Sequence, residues 1–320
     1  MKAIPSAGLL LAALVAAAAE PAAPRFDPIP ERFDRPASER FAPRHEAIPS
    51  RFDRPAKERI ARPVAPKYEP ELGEGTLPVV LALWPGMQFG YEQDDVSILR
   101  FGLIGSRNHN VSFLDFNLFY GRTTGAESAL QLGAANVVEG PLTGVQLGLV
   151  NISGVLEESR SAGAQIGLLG SYSDTLAGVQ LGGLFNRAAT GTGLQLAALC
   201  NYSDDFRGIQ LGAINLEGDD LRAIQLGIVN GGATAYRGVQ LGLVNSSQGD
   251  FHGLQLGVAN TVQTLGGGLQ LGLVNFAGEM HGWQIGVYNT ARAAHGVQIG
   301  LLNVDDSAEW PFLPLLRASF

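Results

Sequence analysis

The chain has 320 residues, a formal net charge of −8 and a single cysteine, Cys200, which excludes both a disulfide-stapled scaffold and a cysteine metal cluster. Lysine is absent after Lys67, and residues 68–320 carry 10 Arg against 22 carboxylates, an acidic balance that argues against nucleic acid as a partner. Its 42 glycines recur at fixed spacing, so the sequence is read first as an internal repeat.

Residues 1–19 have the form of a secretory signal: Lys2, then a run of small and apolar residues, then Ala17-Ala18-Ala19 as a cleavage site. That run is too short to span a bilayer. Residues 20–75 are rich in Pro, Arg and Glu, a composition that blocks helices and sheet ladders and predicts an extended, disordered linker. The linker contains a duplication, Ile29-Pro30-Glu31-Arg32-Phe33-Asp34-Arg35-Pro36 returning as Ile48-Pro49-Ser50-Arg51-Phe52-Asp53-Arg54-Pro55. Its two Phe residues, each flanked by charges, are candidate anchors for a cell-envelope partner, against the simpler reading of a duplicated spacer.

Residues 76–320 are the repeat domain. The phrase Gly238-Val239-Gln240-Leu241-Gly242-Leu243-Val244-Asn245 recurs with its Gln at Gln131, Gln146, Gln165, Gln180, Gln195, Gln210, Gln225, Gln240, Gln255, Gln270, Gln284 and Gln298. Seven consecutive intervals are 15 residues. The same frame extends back through Asp115 and Arg100, giving fourteen units, with a leading strand-like segment near residues 76–89 and a trailing one at 312–320. Within each unit the apolar residues alternate with Gly and Gln at period 2, and two glycines disfavour helix, so the array is all-β. The recurrent Asn136, Asn151, Asn215, Asn230, Asn245, Asn260, Asn275, Asn289 and Asn303 are expected to begin the turns.

Two arrangements of these strands are open. Antiparallel order would close about sixteen strands into a barrel, and parallel order would stack them as a β-solenoid with a coil of 15 residues. The even strand count, long connections falling on one side, and a row of like charges (Arg207, Arg222, Arg237, His252, His281, His295) that parallel stacking would juxtapose make the antiparallel barrel the expected arrangement and the solenoid the alternative. The apolar face favours the solenoid, since about three residues per strand, roughly 14 Å, fall short of the ~25 Å band of a membrane barrel. In a barrel the Gln row would line a polar, uncharged lumen suited to passive passage of small solutes. In a solenoid it would be an exposed amide ladder that locks register.

The recurring Gly-Val-Gln-Leu-Gly-Leu-Val-Asn, the lead-in Asn117-Leu118-Phe119-Tyr120-Gly121 and the ending Trp310-Pro311-Phe312-Leu313-Pro314-Leu315-Leu316 resemble the leptospiral-type surface-repeat family of diderm bacteria. The resemblance covers about residues 77–320 and implies export to the outer membrane or cell surface, with the linker periplasmic. The terminal Phe320, with Leu316 and Ala318 at alternate positions behind it, is similar to the C-terminal insertion signal of outer-membrane barrels, which implies outer-membrane lipid and the barrel-insertion machinery as partners. Units 180 and 195 carry one extra residue before Asn186 and Asn201, and unit 165 has Gly170 in the Asn slot, so bulges are expected there.

The chain shows no nucleophile elbow, P-loop, dinucleotide fingerprint or metal-spacing motif, so the expectation is a non-enzymatic protein without cofactor or metal. His252, His281 and His295 share their repeat slot with arginines, and Asp204-Asp205, Asp219-Asp220 and Asp305-Asp306 read as solvated turn carboxylates rather than calcium ligands. Arg100 and Asp115 interrupt the Gln row on adjacent units, where they can form a cross-strand ion pair.

Overall fold

The computed structural model describes residues 75–156 and 159–319. The signal segment, the linker up to residue 74 and Phe320 lie outside the described residues. Successive units run parallel and in register: Gln210 pairs with Gln225, Gln225 with Gln240, and Gln240 with Gln255. The fold is therefore a parallel β-solenoid of about 15 turns, and the barrel expectation is corrected.

Most units contribute two strands where the barrel reading assumed one, while those of Gln146, Gln165 and Gln298 pass the same position as one unbroken strand. In the unit of Gln225, the long strand Asp220–Leu226 is followed by a bend at Gly227 and Ile228 and then by the short strand Val229–Gly232. The long strand pairs with the next long strand and the short with the next short, so the even count that suggested closure carries no topological meaning. Long connections on one side follow equally from a solenoid, because the same corner recurs on every turn.

The like-charge row that argued against parallel order does form. Arg207 is opposite Arg222, Arg222 opposite Arg237, and Arg237 opposite His252, while the rings of His281 and His295 lie 4.9 Å apart. These side chains point into water, where high dielectric and salt weaken their repulsion. Carboxylates such as Asp205 and Asp220 occupy the row two positions earlier in the chain.

Glycine makes the close stacking possible. Gly238 sits at φ 145°, and a Cβ there would lie 2.0 Å from the Ala223 carbonyl oxygen of the neighbouring turn. At the bend, a Cβ on Gly242 would come within 2.6 Å of Asn230 Nδ2. The two glycines of the repeat phrase thus keep the backbone and the inner side chains of adjacent turns from colliding.

The interior between the two layers of strands has two unlike ends. Near the turn that follows the short strand it is apolar, with Phe206, Leu221, Tyr236, Phe251 and Val262 in one cluster. The Tyr236 and Phe251 rings stack at 5.1 Å, and the Tyr236 hydroxyl donates to a backbone carbonyl oxygen, that of Val239 at 2.8 Å. Near the bend the interior is filled by the Gln and Asn side chains. The solenoid ends are closed by antiparallel strands: Met87–Gln88 folds back on Thr76–Trp84, and Phe312–Ser319 runs against Tyr288–Asp305. Such caps protect the outermost turns from adding further chains.

Candidate functional site

All twelve repeat Gln side chains are buried, and each stacks on the next. From Gln146 onward the Nε2 of each donates to the Oε1 of the Gln one turn earlier, with distances from 2.7 Å for Gln146 to Gln131 to 3.0 Å for Gln240 to Gln225. The row lines no lumen, and it is not the exposed ladder that the solenoid alternative called for. Period 2 correctly places Gln opposite the aliphatic residues, but the Gln face is turned inward and the aliphatic face outward.

Burial is tolerable because every amide finds its partner in the next copy of itself. A buried amide left unpaired costs roughly 1–3 kcal/mol per group, whereas a continuous ladder leaves orphans only at its ends. In several copies the remaining Nε2 hydrogen is used as well: Gln270 reaches the Phe276 carbonyl at 3.2 Å and Gln298 the Val304 carbonyl at 3.1 Å, across the interior.

The ladder is polarised, and its ends are charged to match. All the Gln N–H groups point toward the N-terminal turns, where Gln131 donates to Asp115 Oδ2 at 2.7 Å. Asp115 is held in turn by Arg100, whose Nε donates to Oδ1 at 2.7 Å, so the expected cross-strand pair is formed, with both side chains fully buried. At the other end the Gln298 oxygen has no hydrogen-bond partner, and its cross-strand neighbour is Arg317 of the capping strand, 4 % exposed and paired with Asp305. A row of aligned amide dipoles thus meets an anion at its positive end and a cation near its negative end.

A second ladder runs beside the first in the opposite sense. Asn215 Nδ2 donates to Asn230 Oδ1 at 2.9 Å, and the same step repeats from Asn186 through Asn303. Each of these Nδ2 groups also donates to a carbonyl of the following bend, as Asn215 does to Leu226 at 2.9 Å. The Asn residues therefore do not begin turns: Asn245 is the second residue of the strand Val244–Ser247, buried, and fastens the bend from within. The opposed dipoles of the two ladders offset one another.

The Asn ladder is interrupted once. Ser171 occupies the slot between Asn151 and Asn186, leaving Asn151 Nδ2, Asn186 Oδ1 and the Ser171 hydroxyl all unpaired. The extra residue thus begins in the unit of Gln165, where Gly170 pairs with Val150 and Phe185 and Ser171 takes the Asn slot. The three long units stay in register with each other, and the register shifts where they meet shorter neighbours, between Gly167 and Gly170 against the preceding unit and between Leu196 and Cys200 against the following one.

Two buried carboxylates lie beyond what the spacing revealed. Glu217 faces the ladder, with Gln210 Nε2 donating to its Oε2 at 3.4 Å, and burial pushes its carboxyl up to about 9. Glu127 accepts from Thr123 at 2.6 Å beside the Arg100–Asp115 pair; burial, and then the Asp115 charge, raise it to about 8. Both shifts favour the neutral acid inside the solenoid. The signal for Glu127 was its slot opposite Val111 and Leu142 in an otherwise uncharged inward row.

The outer surface of the same bend is aliphatic. Ile228, Leu243, Val258 and Leu273 are all about half exposed, and Leu301 is 67 % exposed. Shallow apolar grooves run between successive rows, one of about 420 Å³ bounded by Leu147, Ile166, Leu168, Leu181 and Leu196. Among the described residues no group of three or more His, Cys, Asp or Glu side chains converges as a metal site would require. The class so defined is a parallel β-solenoid with an amide spine and an apolar outer rim. Comparison with family models, curated proteins and solved structures finds no match.

Proposed function

We propose that the chain is a non-enzymatic β-solenoid of the envelope surface, serving as a structural or binding module. The observation that carries this reading is the combination of a filled, hydrogen-bonded interior with an exposed apolar rim repeated on every turn. A rod of about 15 turns at ~4.8 Å per turn extends roughly 70 Å, a length along which one contact is repeated many times. Export to the cell surface of a diderm bacterium is proposed from the N-terminal signal pattern and the surface-repeat resemblance. The linker is proposed as a tether to another envelope component through its duplicated Arg-Phe-Asp-Arg-Pro units.

Passage of solutes is not proposed, because the Gln side chains that were to line a lumen are bonded to one another within the solenoid. Planar-bilayer recording combined with small-angle scattering of the purified full chain tests the reading. A rod-like particle without stepwise conductance is expected, whereas single-channel steps would overturn it.

A further inference from the structure

The geometry points to a lipid bilayer as the occupant of the bend edge: we propose that the solenoid lies along a membrane with its apolar rim in one leaflet and its flanking cations at the phosphate level. This deepens the surface-module reading and rests on it.

Four positions of each turn face outward at this edge, one before and one after the Gln, one at the bend and one just beyond it. In the unit of Gln240 they are Val239, Leu241, Leu243 and Val244. From the turn of Val80 to that of Gln298 these positions hold no charged residue, and Tyr120, Cys200 and Tyr288 share the row of Val244 with aliphatic and small residues. The edge is only two strand layers thick, and its aliphatic residues cover one flank, the tip and the other flank. A second copy or a globular partner covers a face or a tip, whereas a fluid hydrocarbon phase covers all three sides at once. From Val239 to Leu243 the chain advances four residues, roughly 13 Å, within the ~15 Å hydrocarbon depth of a single leaflet.

Charge is ordered behind this rim as a headgroup region requires. On the long strand, two positions behind Val239 and its equivalents, stand Arg207, Arg222, Arg237 and His252. On the short strand the Arg187 guanidinium lies 5.9 Å from the Tyr172 ring and 5.1 Å from the Tyr202 ring. Arg and Tyr side chains suit the interface, their apolar bodies toward the acyl chains and their polar ends toward phosphate and water. The carboxylates come later in this order, as Asp205 and Asp220 stand two positions behind the arginines, so the acidic edge of the chain is turned away from the bilayer. This segregation reconciles a net charge of −8 with attraction to phosphate headgroups.

Flotation of the detergent-free full chain with phosphatidylcholine vesicles, and with vesicles that also contain phosphatidylglycerol, provides the test. The wild type is expected to float with both, more strongly with the anionic mixture, the increment vanishing in high salt. A triple variant with Leu243→Glu, Leu273→Glu and Leu301→Glu is expected to lose vesicle affinity by about tenfold or more while keeping its far-ultraviolet dichroism and melting profile. Replacing Arg207, Arg222 and Arg237 by Gln is expected to remove only the anionic increment. Trp283, half exposed on the rim, is expected to be quenched by brominated acyl chains in a Trp84→Phe, Trp310→Phe background. A wild type that stays in the aqueous phase at every composition, yet scatters as a rod, would overturn the membrane proposal alone. A dimer that the glutamate variant dissociates would assign the rim to a second copy and overturn it likewise, and stepwise conductance would overturn both readings.

Discussion

Gln240 and Leu243 stand three residues apart on one bend, yet Gln240 is sealed inside the solenoid while Leu243 is 55 % exposed. The two sides of the bend invert the ordinary assignment of polar and apolar residues. What separates them is partnership. Gln240 finds Gln225 and Gln255 at hydrogen-bond distance because parallel register places identical residues one turn apart. The interior between the bend strands suits paired amides, and the aliphatic residues, which need no partner, take the outside. Burial here follows the satisfaction of hydrogen bonds at each turn, and hydropathy alone mispredicts it.

The strongest way to break the inner side is at its charged end. Arg100→Met leaves Asp115 buried without its cation, and a loss of about 3–5 kcal/mol in urea-unfolding free energy is expected. The double variant Arg100→Met, Asp115→Leu should recover part of that loss, and failure to do so would show that the cation matters beyond pairing. Next in size is Gln240→Leu, which strands the Gln225 oxygen and the Gln255 amide, with an expected cost of about 3 kcal/mol in the same measurement.

Glu217 gives the comparison a pH axis. Its carboxyl is raised to about 9 in the folded chain from an ordinary value near 4.5, so the native state holds a proton that the unfolded state releases. The stability linked to that proton is complete below about pH 4.5 and is lost as pH rises toward about 9. Glu217→Gln is therefore expected to stabilise the fold by roughly 2–3 kcal/mol at neutral pH and to flatten its pH profile, with little effect at pH 4. Thermal melts across that window check the sign, and a wild type that gains stability from pH 5 to 8 through this residue would contradict it.

A smaller effect sharpens the contrast by extending the ladder. Ser171→Asn supplies an acceptor for Asn151 and a donor for Asn186, joining the two Asn segments, and is expected to add about 1 kcal/mol. The smallest effect belongs to the outer side: Leu243→Gln should change stability by less than about 0.5 kcal/mol. A large loss from Leu243→Gln, equal to that from Gln240→Leu, would erase the distinction between the two sides.

Much of the fold was legible in the repeat. The period of 15, the alternation within each unit and the two glycines defined an all-β array and grouped its side chains into the correct two faces. Arg100 and Asp115 declared their pairing because they interrupt a uniform Gln row one unit apart. Ser171 was hidden by the insertion in its unit, which moved the Asn slot by one residue. Glu217 was invisible because its partner Gln210 lies across the interior on the other strand of the same unit, and Arg317 because the capping strand that carries it lies outside the repeat.

Strand direction and the choice of inner face belonged to tertiary structure. Period 2 is the same in a hairpin and in a coil, so spacing cannot distinguish them. In most units a bend after the Gln splits the unit into two strands, and the change of direction at this position sends the chain around a parallel coil. Once the turns are stacked, identical amides lie one hydrogen bond apart, and their mutual satisfaction turns the Gln face inward. The sequence by itself determined which residues share a face and how often they recur. Only the stacking of one turn upon the next decided which face is buried, because an amide's cost of burial depends on a partner found one turn away.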